Sequence, residues 1–208
     1  MNKYILIGLL VLLPINLFGA YLYVDGGDHE AGVTWDDTDG HSYTSSAAGF
    51  PGAGTGYNTI QAAVNACSSG DTIYMRGGTY SEYAIDIPEA KGGIDNDHHT
   101  TLASYPGEWA VINGTGGPGG SQSAVIKNLD AWNNQDDLHY LYYFTFERFE
   151  VIGGDQQNCF WSKTKFCKFR YLSLHDTAVG NIKAGIVLII PQDTTIEYCY
   201  IYNHPDDG

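Results

Sequence analysis

Between residues 59 and 67 the apolar positions Ile60, Ala63, Val64 and Cys67 fall at i, i+3, i+4 and i+7. That spacing lays them along one face of a short helix. Asn58 or Thr59 is placed to cap its start, and Ser69-Gly70-Asp71 supplies the turn that ends it. The period then changes. Thr72-Ile73-Tyr74-Met75-Arg76 alternates as a half-buried strand does, and Gly77-Gly78-Thr79-Tyr80 turns the chain again. Upstream, Tyr21-Leu22-Tyr23-Val24 reads as a strand, followed to residue 56 by a loop rich in Gly, Asp, Ser and Thr. Downstream, short β-rich runs alternate with Gly, Asn and Asp turns, and no other segment carries a helical period. The runs are Val111-Ile112, Ala124-Val125-Ile126, Leu141 to Ile152, Phe166 to Leu174, Gly185 to Ile190 and Thr195 to Tyr202.

Three of these runs share a pattern. Phe146-Glu147-Arg148-Phe149-Glu150-Val151, Phe169-Arg170-Tyr171-Leu172-Ser173-Leu174 and Ile196-Glu197-Tyr198-Cys199-Tyr200-Ile201 are apolar at the first, fourth and sixth positions. A fainter copy is Ile126, Leu129 and Ala131. A repeat of this size, with strands and no helix, predicts a stack in which each unit buries its apolar side chains only against its neighbours. Equivalent residues then form columns, with Phe146, Phe169 and Ile196 in one and Val151, Leu174 and Ile201 in another. A β-sandwich is the alternative, but the Asn-Gly and Asp-Gly hairpin turns it needs are scarce here.

The first twenty residues change the picture of where the chain works. Lys3, the apolar run Ile5 to Leu13 and the small Gly19-Ala20 have the order of an export signal. The run is too short to cross a bilayer comfortably, and an N-terminal membrane anchor is the alternative. Residues 21–208 then form one domain with coils from about 72 onward, secreted or held at the cell surface, with no stable membrane span once residues 1–20 are removed. The formal charge of the 208-residue chain is −14, one unit more negative without Lys3. No basic patch suits nucleic acid, and an acidic glycan would need bridging cations. The four cysteines, Cys67, Cys159, Cys167 and Cys199, are too few for a disulfide scaffold. Cys159 and Cys167 are read as either a disulfide or buried free thiols.

Residues 21–114 resemble the N-terminal module of the pectate-lyase-like superfamily. The likeness is carried by Tyr23-Val24-Asp25, by Tyr57 through Val64, by Gly70 through Tyr80, by Ser104-Tyr105-Pro106-Gly107-Glu108 and by Val111-Ile112-Asn113-Gly114. Residues 141–203 look like its coils. The resemblance implies an all-β, right-handed parallel β-helix, with helix 59–67 capping the N-terminal end. Such an end otherwise exposes apolar core and unpaired strand edges. No equivalent cap follows Tyr202, so the chain is expected to be a C-terminally incomplete part of a longer protein.

Many members of that superfamily are polysaccharide lyases or hydrolases. The resemblance therefore implies a carbohydrate-active protein, with a calcium-assisted uronate lyase as the leading expectation. The alternatives are a glycoside hydrolase of the same fold and a non-catalytic adhesion solenoid that binds glycans. In the lyase chemistry calcium neutralises the uronate carboxylate and a Lys or Arg removes the C5 proton. Asp206 and Asp207 resemble the start of the calcium-binding aspartate segment, with no basic residue after them. The chain is accordingly expected to show no lyase activity alone. Other positions are read directly from residue type. His175-Asp176, with Lys183, is a candidate for acid–base catalysis. Lys163, Lys165, Lys168 and Arg170, with Trp161, are candidates to line a groove for an acidic polysaccharide. Trp132, Tyr140 and Tyr142 are further rings that can stack on sugars. Asp95, Asp97, His98 and His99, and the Asp25 to Asp39 loop, are weighed as metal ligands against solvated loops.

Overall fold

The structure is a computed structural model and describes residues 19–25, 34–36, 42–44, 54–117, 124–128, 140–154, 158–177 and 184–204. From Thr72 the chain repeats a circuit of three short strands. The first circuit is β5 (Thr72–Met75), β6 (Gly78–Tyr80) and β7 (Ile85–Asp86). The second is β8 (Thr100–Ser104), β9 (Ala110–Asn113) and β10 (Ala124–Lys127). In the third, a lead-in strand β11 (Leu141–Tyr142) precedes β12 (Phe144–Glu147), β13 (Phe149–Gly154) and β14 (Asn158–Ser162). The fourth repeats that order with β15 (Thr164–Lys165), β16 (Lys168–Arg170), β17 (Ser173–Thr177) and β18 (Ile186–Leu188). Then come β19 (Thr195–Glu197) and β20 (Tyr200–Tyr202).

Each circuit lays its strands parallel on those of the one before. The first strands build a seven-stranded sheet, which also takes β1 (Tyr21–Val24) and β4 (Gly54–Tyr57), in the order β19-β16-β12-β8-β5-β1-β4. The second strands build the sheet β20-β17-β13-β9-β6, and the third build β18-β14-β10-β7. Strands β11 and β15 form a parallel pair of their own. Among the described residues, only β2 (Thr34–Asp36) and β3 (Ser42–Thr44) form an antiparallel ladder. The described residues are thus predominantly β, in mostly parallel sheets with one α-helix, an arrangement consistent with a β-helix.

The registers turn the repeat into three apolar columns. Leu22, Ile73, Leu102, Phe146, Phe169 and Ile196 are paired in series across the first sheet. Tyr80, Ile112, Val151, Leu174 and Ile201 are paired across the second. Ile85, Ile126, Phe160 and Ile186 are paired across the third. The expected columns Phe146–Phe169–Ile196 and Val151–Leu174–Ile201 are present as read. The fainter copy is a misreading. Ile126 belongs to the third sheet, and the unit stacked before Phe146–Phe149–Val151 is Leu102–Ala110–Ile112. The long corner from Tyr105 to Trp109 stretches the spacing there and hides the match; Leu129 and Ala131 lie outside the described residues.

The corner between the first two sheets explains the one-four-six pattern. The third residue of each unit, Arg148, Tyr171 or Tyr198, is left-handed, with φ of 57°, 52° and 56°. A single left-handed residue turns the chain and resets which side chains point inward. No glycine does this here. The strain is offset by bonds between circuits: Arg148 N donates to Arg170 O at 3.1 Å and Tyr171 N to Glu197 O at 3.2 Å. Rings Tyr171 and Tyr198 stack at 4.9 Å and 7°.

Helix α1 (Ile60–Ala66) closes the opposite end of the stack. Thr59 caps it by accepting from Ala62 N at 3.1 Å. The Glu82 carboxylate accepts from Ile60 N at 2.7 Å and Gln61 N at 3.2 Å, so three of the four orphan N–H groups of the first turn are satisfied. Lys91 does the same for the other end, donating to Asn65 O and Cys67 O at 2.7 Å each. Buried Ile60, Ala63, Val64 and Cys67 face β1, β4, β5 and β7. The Gln61 amide also bonds both backbone groups of Asp86, at 2.7 and 3.1 Å, and so covers the free edge of β7.

Candidate functional site

The outer face of the sheet β6-β9-β13-β17-β20 carries a polar cluster that ties neighbouring strands together. Because Val151, Leu174 and Ile201 point inward, their neighbours point out. One outward row is Val111, Glu150, Ser173 and Tyr200, and the next is Asn113, Ile152, His175 and Tyr202. His175 Nε2 lies 3.0 Å from Glu150 Oε1, and its Nδ1 lies 2.9 Å from Asp176 Oδ2. A ring whose two nitrogens both face carboxylates donates from both, so His175 is an imidazolium in this geometry. Burial of the ring disfavours that charge, but the hydrogen bonds to Asp176 and Glu150 outweigh it and raise the pKa above 6.5. The bond to His175, and a second from Asn203 Nδ2 at 3.1 Å, hold Asp176 below the ordinary carboxylate value.

The surroundings are aromatic. Tyr202 stacks on His175 at 4.7 Å and 16°. Trp109 Nε1 donates to Glu150 Oε2 at 3.4 Å, and its ring is exposed. Tyr200 is exposed on the last strand. Below Asp176, Leu174 O lies 3.1 Å from His204 Nε2, which donates to it, so Nδ1 accepts the Thr177 hydroxyl proton at 2.7 Å. Asp176 and Asn203 are both left-handed, with φ of 55° and 51°. The corner that ends the second sheet therefore turns these polar side chains out of the ladder.

The expected pair His175-Asp176 is thus placed together, and its repeat partner Tyr202-Asn203 stacks directly upon it. Glu150, Trp109 and His204 are not singled out by the sequence. Glu150 holds the fifth position of the repeat, outward in every unit, and His204 the corner that follows; Trp109 ends the long corner before β9, where the repeat gives no signal. The basic candidates scatter. Lys163 is buried at the corner after β14, where its carbonyl accepts from Leu141 N at 2.9 Å. Lys165 lies 5.9 Å from the Tyr142 ring and 5.5 Å from the Phe166 ring. Lys168 and Arg170 project outward from the first sheet, Arg170 in an ion pair with Glu197 at 2.6 Å. Lys163, Lys165, Lys168 and Arg170 therefore share no single face. Trp161 sits in β14 between Lys127 and Val187. Lys183, Asp206, Asp207, Trp132 and most of the Asp25 to Asp39 loop lie outside the described residues.

Among the described residues no three His, Cys, Asp or Glu side chains converge to hold a metal ion. Asp95 instead closes a local turn, accepting from Asp97 N at 2.9 Å and His98 Nδ1 at 2.8 Å. Cys159 and Cys167 are free, and burial pushes both thiols up to about 12. Tyr140 is buried, with its hydroxyl 3.2 Å from Gln192 Nε2. A groove of about 550 Å³ between the turn Glu89–Lys91 and β11 is lined by Pro88, Glu89, Gly92, Gly93, Tyr142 and Tyr143. It gathers no acid–base pair.

His99 immediately precedes β8, with its Nδ1 2.9 Å from Thr145 Oγ1 of β12. Burial, then the nearby Lys168 charge, depress its pKa from 6.5 to about 4. The unfolded chain takes up this proton more readily, so the stability from neutral His99 is present above pH 6.5 and lost as pH falls toward 4. His99→Gln is expected to flatten that acid arm of a melting-temperature profile; an unchanged arm would contradict the assignment.

No helix of the described residues is long and apolar enough to cross a membrane. No protein-family model, curated protein or solved structure matches the chain.

Proposed function

We propose that this chain is a secreted, carbohydrate-active protein built as a right-handed parallel β-helix of the pectate-lyase-like kind, and that it handles polysaccharide on the outer face of β9-β13-β17-β20. The fold reading is supported by three parallel sheets visited in one cyclic order, and right-handed crossovers are the rule for such connections. The functional reading is carried by one observation: Glu150 and Asp176, from successive circuits, are held on either side of the His175 ring beside Trp109 and Tyr202.

Of the reactions open to such a protein, hydrolysis suits these residues better than elimination. A hydrolase needs a base that activates water and an acid that protonates the leaving oxygen. Asp176 is exposed and held ionised, which fits the base; the His175 imidazolium, bonded to both carboxylates, is the acid, and Glu150 balances its charge. A lyase of the expected kind needs a Lys or Arg base and a calcium site. No described Lys or Arg joins this cluster, and among the described residues no group of three acidic, His or Cys side chains is placed to hold a metal ion.

The test is to incubate the chain with a panel of polysaccharides, with calcium and with EDTA. Reducing ends report hydrolysis and ultraviolet absorbance reports unsaturated uronate. Hydrolysis without absorbance is expected, and Asp176→Asn should lower its rate about 100-fold or more. Calcium-dependent absorbance would overturn this reading in favour of a lyase. Retention by polysaccharide with no product would leave the face as the binding surface of an adhesion protein.

A further inference from the structure

Resting on the glycan reading above, we infer that this face selects an uncharged polysaccharide and rejects polyuronates. Three observations carry it. First, Glu150 and Asp176 bring two negative charges against one imidazolium, so the cluster is net negative. Second, the described arginines bordering the face are engaged by carboxylates of their own. Arg76 is buried, and its guanidinium binds the Glu108 carboxylate, with Nε to Oε2 at 2.6 Å. Arg148 pairs with Glu147 at 2.7 Å and Arg170 with Glu197 at 2.6 Å. No described Lys or Arg projects from the outward rows of β9, β13, β17 and β20. Third, exposed rings bracket the carboxylates: Trp109 on the β9 side, Tyr200 and Tyr202 on the β20 side.

An uncharged sugar uses such a surface in full. Its apolar C–H face packs on the rings, and its hydroxyls donate to the carboxylate oxygens. The circuits step about 4.8 Å along the stack, so Trp109 and the two tyrosines can contact different sugars of one extended chain. A uronate would bring a third carboxylate against Glu150 and Asp176, which already share the one His175 imidazolium, with no described Lys or Arg on these rows to receive it, and like charges placed together discriminate strongly between ligands.

The experiment is affinity electrophoresis of the full chain in gels containing galactomannan, xyloglucan or mixed-linkage β-glucan, beside gels containing polygalacturonate or alginate. Retardation by at least one uncharged polymer and by neither polyuronate is expected. Trp109→Ala, at an exposed position, should weaken that retardation about tenfold. The pair Glu150→Gln with Asp176→Asn should raise affinity for polygalacturonate about tenfold. Retardation of the unaltered protein by a polyuronate, lost in Trp109→Ala, would overturn the charge selection while leaving the glycan reading intact. Retardation by none of the five polymers, or retardation indifferent to Trp109→Ala, would overturn both.

Discussion

Phe169→Ala is expected to destabilise the protein by about 3–5 kcal/mol. Phe169 is fully buried in the column between Phe146 and Ile196. Its ring stacks on Phe146 at 4.9 Å and meets Phe160 edge-on at 5.2 Å, so it ties the first sheet to the third across the interior. Removing it leaves a cavity walled by two aromatic rings that cannot follow, because each sits on its own strand. Ile196→Ala is the comparison. The same column position one circuit later is 46% exposed, and its loss should cost about 1 kcal/mol or less. Urea midpoints for the two variants decide the matter, and equal losses would contradict the column.

Val64→Asp is expected to cost about 4 kcal/mol or more, since it sets an unpaired carboxylate against the first circuit. Val64 is fully buried on the face that α1 turns toward β1, β4, β5 and β7. The loss should shrink at acid pH, where the new carboxyl is protonated. Asn65→Asp, at the exposed neighbouring position, keeps the acceptor that bonds Gln61 and should change little. An unchanged melting temperature in Val64→Asp would remove the capping role.

These two positions also mark what the chain announces of its own fold. The Val64 face is legible because helical spacing is local. The Phe169 column is legible because units of similar length place like residues on one another. The earlier circuits are not, since the corner at Tyr105 to Trp109 breaks the spacing. Strand β4 reads as loop because Gly54 and Gly56 lie in it; each stands opposite a tyrosine, Tyr21 and Tyr23, in a pairing no local pattern reveals. The left-handed corners at Arg148, Tyr171 and Tyr198 carry none of the glycine that announces such turns. At the site, His175-Asp176 is adjacent in sequence and visible. Glu150 is 25 residues away and arrives only through the stacking of β13 on β17.

One titration reads both that stacking and the proton it holds on His175. The ¹⁵N shifts of the His175 imidazole should show both nitrogens protonated at pH 6.5 and a midpoint above that value. The stability contributed by this charge should be present below pH 6.5 and lost as pH rises through the raised midpoint. Glu150→Gln and Asp176→Asn should each lower the midpoint. A His175 midpoint at or below 6.5, indifferent to both substitutions, would contradict the register that brings Glu150, His175 and Asp176 together.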